Sequence, residues 1–293
     1  MNPAACIVAV DVGNTAVKLA VEQFGEVIDH SIVINQTNWE RSAIEWVRDR
    51  LGCKQMQWRV ASVHRRAAAR LVDAVGKVAP DATIDLITFR DVPMPIAVDH
   101  PERLGIDRLL SAYAAQQFAK DSASSPADSS PMVVVDAGSA VTIDWVDESG
   151  TFCGGVILPG LSLQASVLAT GTDALPHIDW TENRDVQLPA TNTGNAIHAG
   201  ILVGVASAID GIAERYVENW QANQAPKSDS TSAAAANKPA VKMVLTGGDA
   251  AALSAHVRRP HRQKTNLVCR GLLCLPPTTT STLPTQEIGD GAQ

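Results

Sequence analysis

The chain has 293 residues, 45% of them hydrophobic and 19% charged, with a formal net charge of −7. That length holds two domains of ordinary size, the acidic balance argues against a nucleic-acid surface, and no apolar stretch is expected to reach the length of a membrane span. The first residues lack the basic and apolar regions of a signal peptide, and Cys6, Cys53, Cys153, Cys269 and Cys274 show no paired metal spacing. They read as reduced thiols of a cytoplasmic protein, and the seven scattered histidines form no zinc-type pair.

Strands are expected over 7–12 and 17–21, with a third near 27–34 after the turn "FGEV". Asn38 is expected to cap a helix over 39–51 that sets Trp39, Ile44, Trp46, Val47 and Leu51 on one side. Residues 57–63 read as a strand, 67–78 as a helix and 82–88 as a strand, so a meander followed by strand–helix alternation predicts an α/β fold. The proline-rich segment 92–108 is irregular and leads into a helix over 107–120. The polar joint "DSASSPADSSP", 121–131, separates an N-terminal domain, 1–120, from a C-terminal domain, 132–275. In the second, 192–220 is one long glycine-spaced helical stretch, 221–240 is low-complexity, and 241–253 reads as strand, glycine turn and helix. The run Arg258, Arg259, His261, Arg262 and Lys264 reads as a solvated loop, and 276–293 as a loose tail.

The opening "VAVDVGNTAVKLAV", Val8 to Val21, returns 125 positions later as "VVVDAGSAVTIDWV", Val133 to Val146. Asp11 matches Asp136, Gly13 matches Gly138, Asn14 matches Ser139 and Gly25 matches Gly150, without a gap. A glycine bend between two strands can turn consecutive backbone N–H groups toward one point, where they bind phosphate oxygens. Asn, Ser or Thr side chains add donors, an aspartate ending the first strand can orient a hydrated cation, and Lys18 can reach phosphate as a point charge. One such hairpin is an ordinary polar turn. Two in register, each opening a half of the chain, suit a nucleotide held between facing hairpins.

"DVGNTAVK", "GIDR", "VVVDAGSAVTID", "GGVILPG", "NTGNAIHAG" and "LTGGDA" occur in that order, and together they resemble the type III pantothenate kinases of the actin-like sugar kinase superfamily. The resemblance implies two duplicated actin-like (ribonuclease H-like) domains around a nucleotide cleft. It also implies ATP-dependent phosphorylation of the primary hydroxyl of pantothenate, the first step toward coenzyme A, by a homodimer. Asp11, Val12, Gly13, Asn14, Thr15, Ala16, Val17 and Lys18 would form the ATP phosphate loop, with Ser139 touching ATP and Asp11 holding magnesium through water. Gly105, Ile106, Asp107 and Arg108 would face pantothenate, with Asp107 as proton acceptor. Asp136 would bind the monovalent cation, potassium or ammonium, and Thr193 would touch pantothenate across the dimer interface. "GGVILPG", Gly154 to Gly160, and "LTGGD", Leu245 to Asp249, would complete the cleft loops of the second domain. Ser139 stands where the family usually has threonine, and Val98 near where some relatives place a tyrosine.

Phosphoryl transfer passes through a loose transition state, so a carboxylate that accepts the hydroxyl proton is the chemistry asked of Asp107. Its place at the start of a helical pattern favours the ionised form, and an ordinary helix cap is the alternative reading. Arg108 either pairs with an anionic substrate or makes a structural ion pair. Two other functions stay open at this point, another small-molecule kinase on the same fold and a non-catalytic nucleotide-binding regulatory protein.

Overall fold

The computed structural model describes residues 6–51, 55–121, 130–180, 186–224 and 240–277. In strand β1 (Cys6–Val12), Val8, Val10 and Val12 enter one hydrophobic cluster and Ala9 enters another. A strand that buries both faces belongs at the centre of a sheet covered on each side. β1 pairs antiparallel with β2 (Ala16–Gln23), and β2 with β3 (Glu26–Val33). On its other side β1 runs parallel to β4 (Met56–Ser62), which runs parallel to β5 (Thr83–Leu86). Helices α1 (Trp39–Arg50) and α2 (Arg65–Val78) make the crossovers and contribute to the outer cluster.

The same plan recurs in β6 (Met132–Ala137), β7 (Ala140–Val146), β8 (Phe152–Pro159), β9 (Lys242–Thr246) and β10 (Arg262–Gln263). The sheet orders β3-β2-β1-β4-β5 and β8-β7-β6-β9-β10 are identical, with the same parallel and antiparallel senses. The expected α/β fold with two duplicated actin-like domains is the fold observed. Helices α4 (Leu161–Gly171), α5 (Thr193–Gln224) and α6 (Ala250–Ser254) supply the outer core of the second sheet.

Between the sheets lie α3 (Ile106–Asp121) and α7 (Leu267–Cys274), sharing one hydrophobic cluster with inward residues of both. α7 belongs by sequence to the second half, yet it packs on β1, β2 and β4 of the first sheet. Small inward residues, Ala9, Ala20 and Ala61, leave space for it. Where α3 crosses α7, a Cβ added at Gly271 would stand 2.5 Å from the carbonyl oxygen of Leu110, so the backbones touch there. Arg59, 1% exposed on the inward face of β4, donates to the carbonyls of Leu272 and Leu275 at 2.8 and 2.7 Å and of Pro276 at 3.0 Å. A buried cation thus satisfies the unpaired carbonyls at the negative end of α7.

Several expectations change. α1 begins at Trp39, but Asn38 starts it through a left-handed backbone (φ 59°) with no side-chain cap bond, a conformation asparagine tolerates better than most residues. α5 spans 32 residues and contains an 18-residue window of mean hydropathy 1.7, so an apolar stretch of membrane-spanning length does exist. Half of that window is buried, and Ile197, Ile201, Leu202, Val205 and Ile209 pack in the second core. α5 also runs into the segment expected to be low-complexity, as Trp220 and Gln224 hydrogen-bond Glu148. Residues 122–129, 225–239 and 278–293, the bulk of the three segments expected to be flexible, lie outside the described residues. Cys6 is disulfide-bonded rather than reduced, while Cys153, Cys269 and Cys274 are free. The cationic run is largely exposed, as expected, with added anchors: the Arg258 and Arg259 N–H groups donate to Asp210, Arg259 pairs with Glu214 at 3.2 Å, and Lys264 lies 5.0 Å over Phe118.

Candidate active site

Inward-facing positions alternate along β1 and β6, so Asp11 follows Ala9, and Asp136 follows Val134, into the layer between the sheets. In the first hairpin Asp11 pairs with Lys18 and Val12 with Val17, and the Gly13 N–H donates to the Ala16 carbonyl at 3.1 Å. In the second, Asp136 pairs with Thr142 and Ala137 with Val141, and the Gly138 N–H donates to the Ala140 carbonyl at 2.9 Å. The second turn is therefore one residue shorter, and the repeat is not gapless. Its register returns by Gly25 and Gly150, which share a φ of 81° and 82°. The counterpart of Lys18 is Thr142, so the second hairpin brings no ammonium group.

The two turns face each other and meet, Thr15 Oγ1 lying 2.7 Å from Ser139 Oγ. Asn14, Thr15 and Ser139 are exposed, whereas Val12 and Val17 are fully buried in the outer core and can offer a ligand only their backbone. The glycine motifs buttress the second turn. "GGVILPG" is mostly strand β8 rather than a loop, and only its last residue reaches the turn, where the Gly160 N–H donates to the Ser139 carbonyl at 3.1 Å. A Cβ at Gly160 would come within 2.2 Å of the Gly138 carbonyl oxygen, and one at Gly247 (φ 98°) equally close to that of Ala137.

The "GIDR" segment starts α3. The Gly105 carbonyl accepts the Leu109 N–H at 3.4 Å, which makes Gly105 the cap and Asp107 the second helical residue. Asp107 is half-buried and its Oδ1 accepts the Arg108 N–H at 2.9 Å. One turn further along α3, Ser111 Oγ donates to Asp136 Oδ2 at 3.4 Å. Lys18 Nζ stands 3.7 Å from Asp11 Oδ2. Ile106 is buried beneath the segment, and Arg108 pairs with Asp144, a buried residue on the inward face of β7. The proline-rich segment before it is anchored on the second sheet: the Phe152 N–H donates to Pro95 at 2.8 Å, and the Ala97 N–H to Phe152 at 2.9 Å. Val98 then lies against Gly154.

Asp144, Ser111 and Arg59 were not singled out from sequence. Alternation along β7, inward at Thr142 and again at Asp144, is the signal that could have found Asp144. Thr193 is the exception among the expected residues. It is exposed at the start of α5, and no hydrogen bond or ion pair links it to the aspartates among the described residues. A cavity of about 360 Å³ lined by Ala115, Phe118, Met132, Val244 and Lys264 lies at the far ends of α3 and β6, away from this cluster.

Electrostatics distinguish the cluster from an ordinary turn. Burial pushes the Asp11 carboxyl up to about 7; Lys18 opposes this, while Asp107 and Asp136 add to it. Asp136 is raised for the same first reason, burial, against the pull of Lys18. Burial would lower Lys18, but Asp11 and Asp136 outweigh it and hold the ammonium above its ordinary value. One ammonium thus faces three carboxylates. Among the described residues no three His, Cys, Asp or Glu side chains converge to hold a metal ion alone. Asp11 and Asp136 fit hard cations that complete their shells with water or phosphate oxygens.

The sign of the resulting pH dependence follows from linkage. Between pH 3.8 and about 7 the native state keeps a proton on Asp11 that the unfolded chain has lost, so this carboxyl's contribution to stability falls as pH rises through that window. Without nucleotide, Asp11→Asn should raise Tm at about pH 7.5, by an effect on the order of a few kcal/mol, and flatten the decline below it. Thermal melts across the window check this; a substituted protein with an unchanged Tm and slope would show that Asp11 ionises normally.

The chain has relatives among known proteins. The model of the family described as Type III pantothenate kinase matches residues 7–215. A type III pantothenate kinase from Rhodopirellula baltica is 35% identical over 273 residues, covering 84% of this chain and 89% of its own length. Another, from Rubrobacter xylanophilus, is 31% identical over 185 residues, 63% of this chain and 62% of its own. Among solved structures, a protein assigned to the Baf transcriptional-activator family from Campylobacter jejuni superposes with a TM-score of 0.52 at 18% identity, covering 92% of this chain and 96% of that one, a likeness of fold. The chain belongs to the type III pantothenate kinase family.

Proposed function

We propose that Asp107 accepts the proton of pantothenate's primary hydroxyl while ATP lays its phosphates along the two facing turns. The reaction is the ATP-dependent phosphorylation of pantothenate that family membership assigns to this chain. The observation that carries the proposal is the position of Asp107. It is half-exposed and close enough to Asp11 and Asp136 to raise both, and it sits in the first turn of α3, two residues after Gly105.

A loose phosphoryl-transfer transition state asks for positioning and charge compensation rather than covalent chemistry. Asn14, Thr15 and Ser139 offer donors at the turns, and the Thr15–Ser139 contact gives way to phosphate oxygens. Lys18 supplies the fixed positive charge. Three carboxylates with a single ammonium would repel a triphosphate, and this excess favours cations in the site. Asp11 would hold magnesium through water and Asp136 a monovalent cation, potassium or ammonium; bound there, they would neutralise charge on the phosphates. Gly105 lies beside Asp107 on the acceptor side, while Ile106 supports the segment from the core and Arg108 from the second sheet.

The homodimer reading gains from α5. Its exposed stripe Gly200, Gly204, Ser207 and Gly211 faces open space, since a Cβ at any of the three glycines would meet nothing within 4 Å. Leu163 and Val167 are exposed on α4, which packs on α5. Smooth helix faces of this kind permit close helix contact between copies. Thr193, at the start of the same helix, would then reach the partner's pantothenate rather than its own.

In a coupled assay with pantothenate, Asp107→Asn should lower kcat by about 10²–10⁴-fold. ATP KM should hardly move, and stability should change by less than about 1 kcal/mol, the size of a helix-dipole effect. Near-normal turnover in the folded variant would place the base elsewhere. Exchanging potassium for sodium or tetramethylammonium should depress turnover strongly, and equal rates in all three salts would remove Asp136 from the cation site. Light scattering at micromolar concentration should give twice the chain mass; a fully active monomer would end the dimer reading.

A further inference from the structure

The two ends of Arg108 make different contacts. Its Nε donates to Asp144 Oδ1 and Oδ2 at 3.0 and 3.3 Å, and its Nη2 donates to Oδ1. Its backbone N–H donates to Asp107 Oδ1 at 2.9 Å. An unbroken chain of charge-assisted contacts therefore joins Asp144, through one residue, to the Asp107 carboxylate. Asp144 is 1% exposed and sits on β7, in the opposite half of the molecule from α3.

The second sheet is shaped around this ion pair. A Cβ at Gly155 would lie 2.4 Å from Asp144 Oδ1 and 2.2 Å from the Ile143 carbonyl oxygen, so only glycine leaves the carboxylate its place. Phe152 supports the guanidinium, whose carbon lies 5.7 Å from the ring centre. Gly155 belongs to "GGVILPG", and the phosphate turns make no use of it. Burial raises the Asp144 carboxyl, and the hydrogen bond and charge of Arg108 oppose that rise. A buried pair of this kind adds little net stability, because desolvation offsets attraction, but it fixes geometry. The first turn of a helix, with its unpaired N–H groups, is where such fixing matters.

We propose that Asp144 is a positioning residue. It clamps Arg108 to the second sheet and so sets the direction of the Asp107 carboxylate toward the acceptor hydroxyl. The inference rests on Asp107 being the base. A misplacement of about 1 Å can cost on the order of 10²-fold in rate, which sets the scale of the effect.

The test is a double-mutant cycle on the full chain, with kcat, KM for ATP and Tm measured for each variant. Asp144→Asn should lower kcat by about 10–100-fold and leave KM for ATP within about twofold of wild type. In the Asp107→Asn background the same change should have little further effect on kcat, because the group being positioned has lost its proton-accepting role. Equal fold losses in both backgrounds would mark a merely structural role and overturn the clamp. Asp144→Glu keeps the charge while moving the carboxylate by about one bond length of ~1.5 Å, at some cost in Tm because the site is closely packed. It too should lose at least about tenfold in kcat at a temperature where it stays folded, and full turnover in that variant would overturn the proposal. Near-normal turnover of Asp107→Asn alone would instead sink the base assignment, so the two failures are distinguishable.

Discussion

The close crossing of α3 and α7 between the two sheets is the constraint on which the rest of the structure depends. Gly271 lets the helix backbones touch, and Ala9, Ala20 and Ala61 let α7 lie flat on the first sheet. Larger side chains at these positions would push the sheets apart, since packed interiors have no slack to absorb added volume. The separation of the sheets in turn decides whether the tips of two hairpins, 124 residues apart at Thr15 and Ser139, can meet. Arg59 closes the arrangement by binding the carbonyl end of α7 from within the first sheet.

That layer also creates the electrostatic problem at the heart of the site. Strand alternation forces Asp11, Asp136 and Asp144 inward, into a region otherwise filled by apolar helices. Such carboxylates are tolerated where a partner is supplied: Lys18 beside Asp11, Ser111 beside Asp136 and Arg108 beside Asp144. α3 provides two of those three partners, from positions 108 and 111. The same helix turn carries Asp107 and joins the two halves of the molecule.

Duplication accounts for the fold but not for the chemistry. The halves share strand order and pairing sense, yet one hairpin brings Lys18 and the other Thr142, because the second turn is a residue shorter. The first half brings the ammonium and the GIDR segment. The second brings the glycine-supported turn and the Asp144 clamp.

The sequence by itself determined the local features and the repeat. The apolar strand runs 7–12 and 133–137, glycine at each bend and the ordered motifs were legible because strand preference and turn chemistry are properties of neighbouring residues. Asp11 and Asp136 stood out for the same reason, and Asp107 through the resemblance that the GIDR segment carries. The short helix α7 did not, since eight residues of mostly apolar sequence carry no clear period, and its place on the other half's sheet has no local signature. Nor could spacing reveal the one-residue difference between the turns, which shows only in strand pairing. Arg59 beneath α7 and Asp144 against Arg108 were settled by contacts 213 and 36 residues apart in sequence. Burial, which decides how a carboxylate titrates and what must lie beside it, is a property of the packed sheets, and only the tertiary structure fixes it.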